Sequence, residues 1–146
     1  MTRSIALEEA FAVPPDRLFG LLVCPSAIRA WWGAHRAIVH PAPGGLWAAA
    51  WGDDEDDPDY LSYATIHVYD PPRRLVLGDL RYAGRLAHLP FEADFSIAFT
   101  VRPKVDGASL HVAHTGFPAA SEADGFFAAC NQGWHDTLDG IRRILT

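Results

Sequence analysis

The stretch Ile28-Arg29-Ala30-Trp31-Trp32-Gly33 places two tryptophans side by side directly before a glycine. Tryptophan is a very large apolar side chain, and its indole N–H needs a partner when it is buried. Because neighbouring residues of a helix or a strand point in different directions, the two rings cannot share one environment. We therefore predict a short helix that stops at Gly33, with one ring in a core and the other, preferably Trp32, beside a cavity.

The segments on both sides of this stretch carry the patterns of strands and short helices. Alternating apolar residues predict a first strand from Arg3 to Val13. Pro15 and Pro25 suit helix starts, so two short helices should follow that strand. Farther along, alternating residues bounded by turn sequences predict strands at 34–40, 46–51, 62–69, 75–80, 91–102 and 109–115.

The end of the chain predicts one long helix. Ser121, with Asp124 three residues later, has the pattern of a capping box. One stripe then recurs at helical spacing and contains Phe127, Asn131, Trp134, Leu138, Ile141 and Leu145. An antiparallel sheet with one apolar face can bury such a stripe. We therefore expect one α+β domain over residues 1–146, in which a strongly curved antiparallel sheet of six to seven strands wraps round the C-terminal helix.

Composition and charge argue against several classes of protein. The net charge of −6 and the lack of a basic stripe disfavour nucleic acid as a partner. No apolar run approaches the about 20 residues of a membrane span, and no signal-peptide core stands at the N-terminus. We therefore expect a cytoplasmic protein without a membrane partner. Cys24, Cys130 and the seven histidines show no ligand spacing, so we expect no metal and no cofactor.

Large aromatic residues on the predicted inward faces form the candidate ligand site. Each of them taken singly could be plain core packing, but five tryptophans in 146 residues favour a pocket or an exposed rim. Such a pocket also needs a few polar groups that orient the ligand. The residues that we expect to line it are Trp31, Trp32, Trp47, Trp51, Phe95, Phe99, His114, Phe127, Asn131 and Trp134.

Three polar residues lie on otherwise apolar faces and leave two interpretations open. Glu9 and His114 could transfer protons in an enzyme, because burial raises the pKa of a carboxylic acid and lowers that of a histidine. Alternatively, each is hydrogen-bonded structurally, which we favour for His114 because it lies close to the end of its strand. Asn131, on the helix stripe, is the better candidate for a polar contact with a ligand.

The order of these motifs resembles the START-like (birch-pollen-allergen-like, SRPBCC) helix-grip superfamily, and within it the branch named after the activator of the heat-shock-protein-90 ATPase. The motifs span nearly the whole chain: Trp31-Trp32-Gly33, Gly44-Gly45, the segment 70–76, the segment 114–118 and Gly133-Trp134. The chain departs from the usual pattern in three places, one of which is the bulk of Trp51. Ala34 stands where a proline is common, and an acidic insertion occupies residues 53–59.

The resemblance implies a hydrophobic cavity between the sheet and the long helix, which in the superfamily holds lipids, sterols, polyketides or similar molecules. We therefore expect this chain to bind a small hydrophobic or amphipathic molecule. An enzyme of the polyketide cyclase or dehydratase type would use the same cavity and stays open. A module that modulates a chaperone ATPase is disfavoured, because that activator has a further domain for which 146 residues leave no room. A homodimer also stays open.

Overall fold

Seven strands and three helices follow one another in the order that the sequence predicts. The computed structural model describes residues 1–146. A short 3-10 turn at Ser121–Ala123 precedes the last helix. The elements are β1 (Thr2–Phe11), α1 (Pro15–Val23), α2 (Pro25–Trp32), β2 (Arg36–Val39), β3 (Leu46–Trp51), β4 (Tyr60–Asp70), β5 (Arg74–Ala83), β6 (Phe95–Lys104), β7 (Gly107–Pro118) and α3 (Asp124–Ile144).

The strands form one curved sheet in the order β1-β7-β6-β5-β4-β3-β2, and every neighbouring pair is antiparallel. The connection from β1 to β2 crosses from one edge of the sheet to the other, and α1 and α2 occupy it. This architecture confirms the predicted α+β class, the seven strands and the long C-terminal helix. None of the helices is both long and apolar enough to cross a membrane.

The core lies between the concave face of the sheet and the apolar side of α3. In β6 the alternation is complete, because Phe95, Ile97, Phe99 and Val101 are all buried. From α3, residues including Trp134 pack against this face. Full burial of such a side chain stabilises the fold by about 1.5–3 kcal/mol. The buried face of β6 therefore contributes to the contact between the sheet and α3, through Phe99 and Trp134.

A bulge in β5 decides which of its residues face the core. Leu77 and Leu80 are both buried although they are three residues apart, and the pairing with β6 shifts between them. Asp79 has a positive φ of 50°, and its carboxylate accepts a hydrogen bond from His67 Nε2 at 3.0 Å. A Cβ at Gly78 would overlap the His67 ring, so a larger residue there would require the exposed His67 side chain to move. The extra residue brings Tyr82 onto the inward side of the strand.

Among the differences from the prediction, two strand ends and one helix cap are set by partners that local sequence does not show. The strand predicted from Phe91 begins at Phe95, because pairing with β5 and β7 starts only there. The first strand stops at Phe11, opposite the start of β7, rather than at Val13. The capping box does not form: no side chain caps the helix start, and the Asp124 carboxylate accepts from Arg3 instead, at 2.6 Å.

Candidate functional site

Two adjacent cavities lie between the sheet and α3, and Trp32 and Tyr82 line both of them. The inner cavity of about 230 Å³ is completed by Ile97, His114, Ala129, Cys130, Gly133, Trp134 and Thr137. The outer cavity of about 510 Å³ is completed by Trp51, Tyr60, Leu61, Ser62, Ala83, Leu86, Ala87, His88, Leu89 and Phe126. The outer volume falls within the about 300–1,000 Å³ of small-molecule sites.

The lining of both cavities is mainly apolar. No Asp, Glu, Lys or Arg side chain lines either of them. Tyr60 and Leu86, both lining the outer cavity, are each 48% exposed, so apolar surface reaches the solvent at its mouth. An unpaired charge would be costly in such surroundings. The geometry is therefore suited to a neutral, mainly apolar molecule.

The tryptophan pair at the end of α2 divides between the core and the cavity. Gly33 ends the helix in the left-handed conformation, with φ of 71°. Trp31 is buried, and its indole N–H donates to the Leu21 carbonyl at 2.8 Å. Trp32 is only half buried and forms cavity wall. The Trp51 ring crosses it edge-on at 4.9 Å between centroids.

His114 on β7 makes two side-chain hydrogen bonds, one to Trp134 on α3 and one to Tyr82 on β5. The Trp134 indole N–H donates to His114 Nδ1 at 3.0 Å, and His114 Nε2 lies 3.1 Å from Tyr82 Oη. An indole N–H can only donate, so Nδ1 must be the bare nitrogen of the ring. A neutral imidazole then carries its proton on Nε2, which donates to Tyr82 Oη. The two contacts together fix the tautomer of His114.

The titratable groups of the inner cavity are uncharged near neutral pH. Burial lowers the pKa of His114 from 6.5 to about 3. Burial also raises the pKa of the Cys130 thiol to about 12. The pKa of Tyr82 is raised well above 10, first by burial and then by its proximity to Cys130. The cavity thus offers neutral hydrogen-bonding groups, and a histidine with so low a pKa is a weak general base.

Five of the ten predicted site residues line a cavity. Trp32, Trp51, His114 and Trp134 line the two cavities under α3. Phe95 lines an adjoining depression of about 860 Å³ beside the 84–94 segment, which shares Tyr82, Ala87, His88 and Leu89 with the outer cavity. The other five lie elsewhere. Trp31, Trp47 and Phe99 are buried in the core. Phe127 packs against Phe117, and Asn131 is exposed.

The prediction that the Asn131 side chain faces the cavity is wrong. Successive residues of a helix differ by about 100° around its axis, and Cys130 takes the position that faces the cavity. Asn131 therefore turns to solvent. Glu9 also lies outside the site, since its carboxylate is exposed and accepts a hydrogen bond from Arg142 at 2.6 Å. Neither residue is placed to contact a ligand between the sheet and α3.

Sequence analysis missed Tyr82, the residue shared by both cavities. The predicted strand 75–80 ends before it, whereas β5 continues to Ala83. The bulge at Gly78 and Asp79 also reverses the alternation, so that period 2 counted from Leu75 would turn Tyr82 outward. Gly78 inside an apolar run was the signal that could have indicated the bulge.

The fold and the apolar cavity under its long helix define a helix-grip protein. The chain belongs to the family described as Activator of Hsp90 ATPase homolog 1-like protein, whose model matches residues 12–146. This membership agrees with the resemblance of the sequence motifs. No curated protein matches the sequence.

Solved structures of distant relatives share the fold. Protein MLL2253 from Mesorhizobium loti is 21% identical, with a TM-score of 0.77 over 98% of this chain and 96% of that one. CalU16 from Micromonospora echinospora is 18% identical, with a TM-score of 0.71 over 99% and 77%. DynU16, from the dynemicin biosynthetic locus, is 15% identical, with a TM-score of 0.75 over 97% and 46%. At these identities the likeness concerns the fold alone.

Proposed function

We propose that this protein binds a small, neutral, hydrophobic molecule in the two cavities between the sheet and α3. The observation that carries the proposal is the continuous uncharged lining, in which Trp32 and Tyr82 belong to both the outer and the inner cavity. Removing apolar ligand surface from water contributes about 25 cal/mol per Å². The binding roles of Trp32, Trp51, His114 and Trp134 follow from this proposal.

Three further observations support a ligand rather than a purely structural cavity. Buried aromatic side chains usually close-pack, and voids larger than a water molecule are few in a protein domain. Tyr60 and Leu86, at the mouth of the outer cavity, are exposed. Exposing apolar surface to water does not stabilise the folded protein, and exposed apolar patches often mark binding sites. One structural neighbour, DynU16, comes from a biosynthetic locus, and biosynthetic loci handle small organic molecules.

Gly133 allows the cavity to be filled without disturbing the fold. It lines the inner cavity, and a Cβ built there would meet no atom within 4 Å. The Gly133→Leu variant would place an apolar side chain in the ligand space. Gly125, on the same helix, also has open space around its Cβ but is exposed and lines neither cavity. Gly125→Leu is therefore a matched control.

The test is a fluorescence titration with N-phenyl-1-naphthylamine, a neutral apolar probe, together with native mass spectrometry of the freshly purified protein. We expect the wild type and Gly125→Leu to bind the probe with equal affinity, and Gly133→Leu to bind at least tenfold more weakly. A co-purified small molecule should be present in the first two proteins and reduced in the third. Equal probe affinity for all three proteins, or no binding to any of them, would refute the proposal.

A further inference from the structure

We infer that the ligand carries a hydrogen-bond acceptor, such as a carbonyl or ether oxygen, which receives the O–H of Tyr82 where the outer and inner cavities meet. This inference rests on the proposed function and adds to it the chemical class of the ligand. It follows from the direction of the hydrogen bonds between Trp134, His114 and Tyr82, and from the place of Tyr82 in the cavity walls.

The series of hydrogen bonds begins at Trp134, and the donor there sets the direction of the whole series. Its indole N–H donates to His114 Nδ1 at 3.0 Å, which leaves Nε2 as the protonated nitrogen of a neutral ring. Nε2 therefore donates to Tyr82 Oη, 3.1 Å away. If Tyr82 donated to Nε2 instead, Nδ1 would hold a proton aimed at the indole N–H, and two donors would face each other.

The hydroxyl proton of Tyr82 is thus left without an acceptor among the protein's own groups. The contact with His114 is the only side-chain hydrogen bond that Tyr82 makes, and in that contact Tyr82 Oη accepts. A phenol donates one hydrogen bond as well as accepting. Tyr82 is partly buried in these mainly apolar walls. A donor without a partner is unfavourable in such surroundings, so an acceptor brought by the ligand removes this penalty.

The ring of Tyr82 is held in a fixed orientation. Phe95 and Phe126 contact it edge-on, with ring centroids 5.3 Å and 5.2 Å away. The hydroxyl is part of a side chain that lines both cavities, so a ligand that enters from the mouth passes it. Because both cavities lack a charged side chain, the acceptor belongs to a neutral group rather than to a carboxylate.

The experiment compares 9-fluorenone with fluorene, two ligands of nearly equal shape that differ in a carbonyl against a methylene group. Affinities are measured by displacement of N-phenyl-1-naphthylamine from wild type, Tyr82→Phe and the control Tyr63→Phe. Tyr63 is exposed on β4 and lines neither cavity. We expect Tyr82→Phe to weaken fluorenone binding about tenfold, the usual effect of one buried hydrogen bond, and to leave fluorene binding unchanged.

Unchanged fluorene affinity also shows that Tyr82→Phe keeps the cavity folded. Equal effects of Tyr82→Phe on both ligands, or no effect on either, would overturn the inference and leave the proposed function standing. If neither ligand binds the wild type, both fail.

A second measurement tests the hydrogen-bond direction without any ligand. The ¹⁵N chemical shifts of the His114 ring should identify Nε2 as the protonated nitrogen. A proton on Nδ1 would overturn the inference even if fluorenone bound, because the Tyr82 hydroxyl would then donate its hydrogen bond to His114 Nε2.

Discussion

His114 is an uncharged histidine held between an indole and a phenol, and this makes protein stability depend on pH. Its pKa in the folded protein is about 3, lowered by burial from 6.5. The side chains that face it are Trp134 and Cys130 on α3 and Tyr82 on β5, and no carboxylate lines its cavity. Between these two pKa values the unfolded chain binds a proton that the folded chain does not. Stability is therefore complete above pH 6.5 and falls as the pH decreases.

We predict that the free energy of unfolding decreases with a slope approaching 1.4 kcal/mol per pH unit below pH 6.5. Urea unfolding at pH 7, 6 and 5 measures it, above the range in which most carboxylates titrate. The control is His114→Gln, whose amide can accept from Trp134 and donate to Tyr82. The difference between the two proteins cancels the contributions of all other groups. Parallel pH profiles would contradict the prediction.

Single residues also show the limits of reading a site from the sequence. The different surroundings of Trp31 and Trp32 could be predicted, because adjacency alone forbids a shared environment. The inward face of α3 could be predicted only to within one residue. The prediction therefore placed Asn131 at the cavity, a position that Cys130 occupies. The orientation of Tyr82 depended on a bulge at which Asp79 contacts His67 on the neighbouring strand, and local sequence does not show such a contact.

At the scale of elements, two glycines of α3 serve different purposes. A Cβ at Gly140 would overlap the carbonyl oxygen of Trp31, so this glycine lets α2 and α3 approach closely. Gly133 instead borders the inner cavity and has open space around it. One glycine of α3 therefore allows close packing and the other leaves room. Neither use could be assigned before the position of α2 was known.

We predict opposite signs for the same substitution at these two positions. Gly133→Ala should stabilise the protein by about 0.8–1.0 kcal/mol, the difference in helix propensity between alanine and glycine. Gly140→Ala should destabilise it by about 1–3 kcal/mol, because the new methyl group forces α2 away from α3. Urea unfolding of both variants at pH 7 gives the two values. Equal stabilisation by both would show that the contact at Gly140 is loose.

Elements whose boundaries follow from one local pattern were predicted well. Elements whose boundaries depend on a distant partner were predicted less well. The alternation from Phe95 to Val101 is long enough to define β6 by itself. The residues before Phe95 keep the same alternation but have no strand to pair with, so they form no sheet. Likewise Ser121 has the sequence of a cap, yet Asp124 is occupied by Arg3, which lies 121 residues earlier in the chain.

At the scale of the whole molecule, two arginines join the first strand to the last helix at opposite ends. Arg3 on β1 contacts Asp124 at 2.6 Å and lies 4.7 Å from the ring centroid of Phe127, both on α3. Arg142 on α3 makes the reciprocal contacts with β1, to Glu9 at 2.6 Å and to the ring of Phe11 at 4.7 Å. These pairs tie an edge strand, hydrogen-bonded only to β7, to the helix that covers the sheet.

The Arg142 contacts should govern how often β1 opens. An exposed ion pair contributes about 0.2–1 kcal/mol and a cation–π contact about 0.5–1 kcal/mol, so Arg142→Ala should lower the local free energy of opening by about 1 kcal/mol. Amide hydrogen exchange in β1 should then become about fivefold faster, while exchange in β6, flanked by β5 and β7, stays unchanged. The control is Arg143→Ala, an exposed neighbour that forms no ion pair. Faster exchange in β1 and β6 alike would mean that Arg142 stabilises the whole fold rather than its edge.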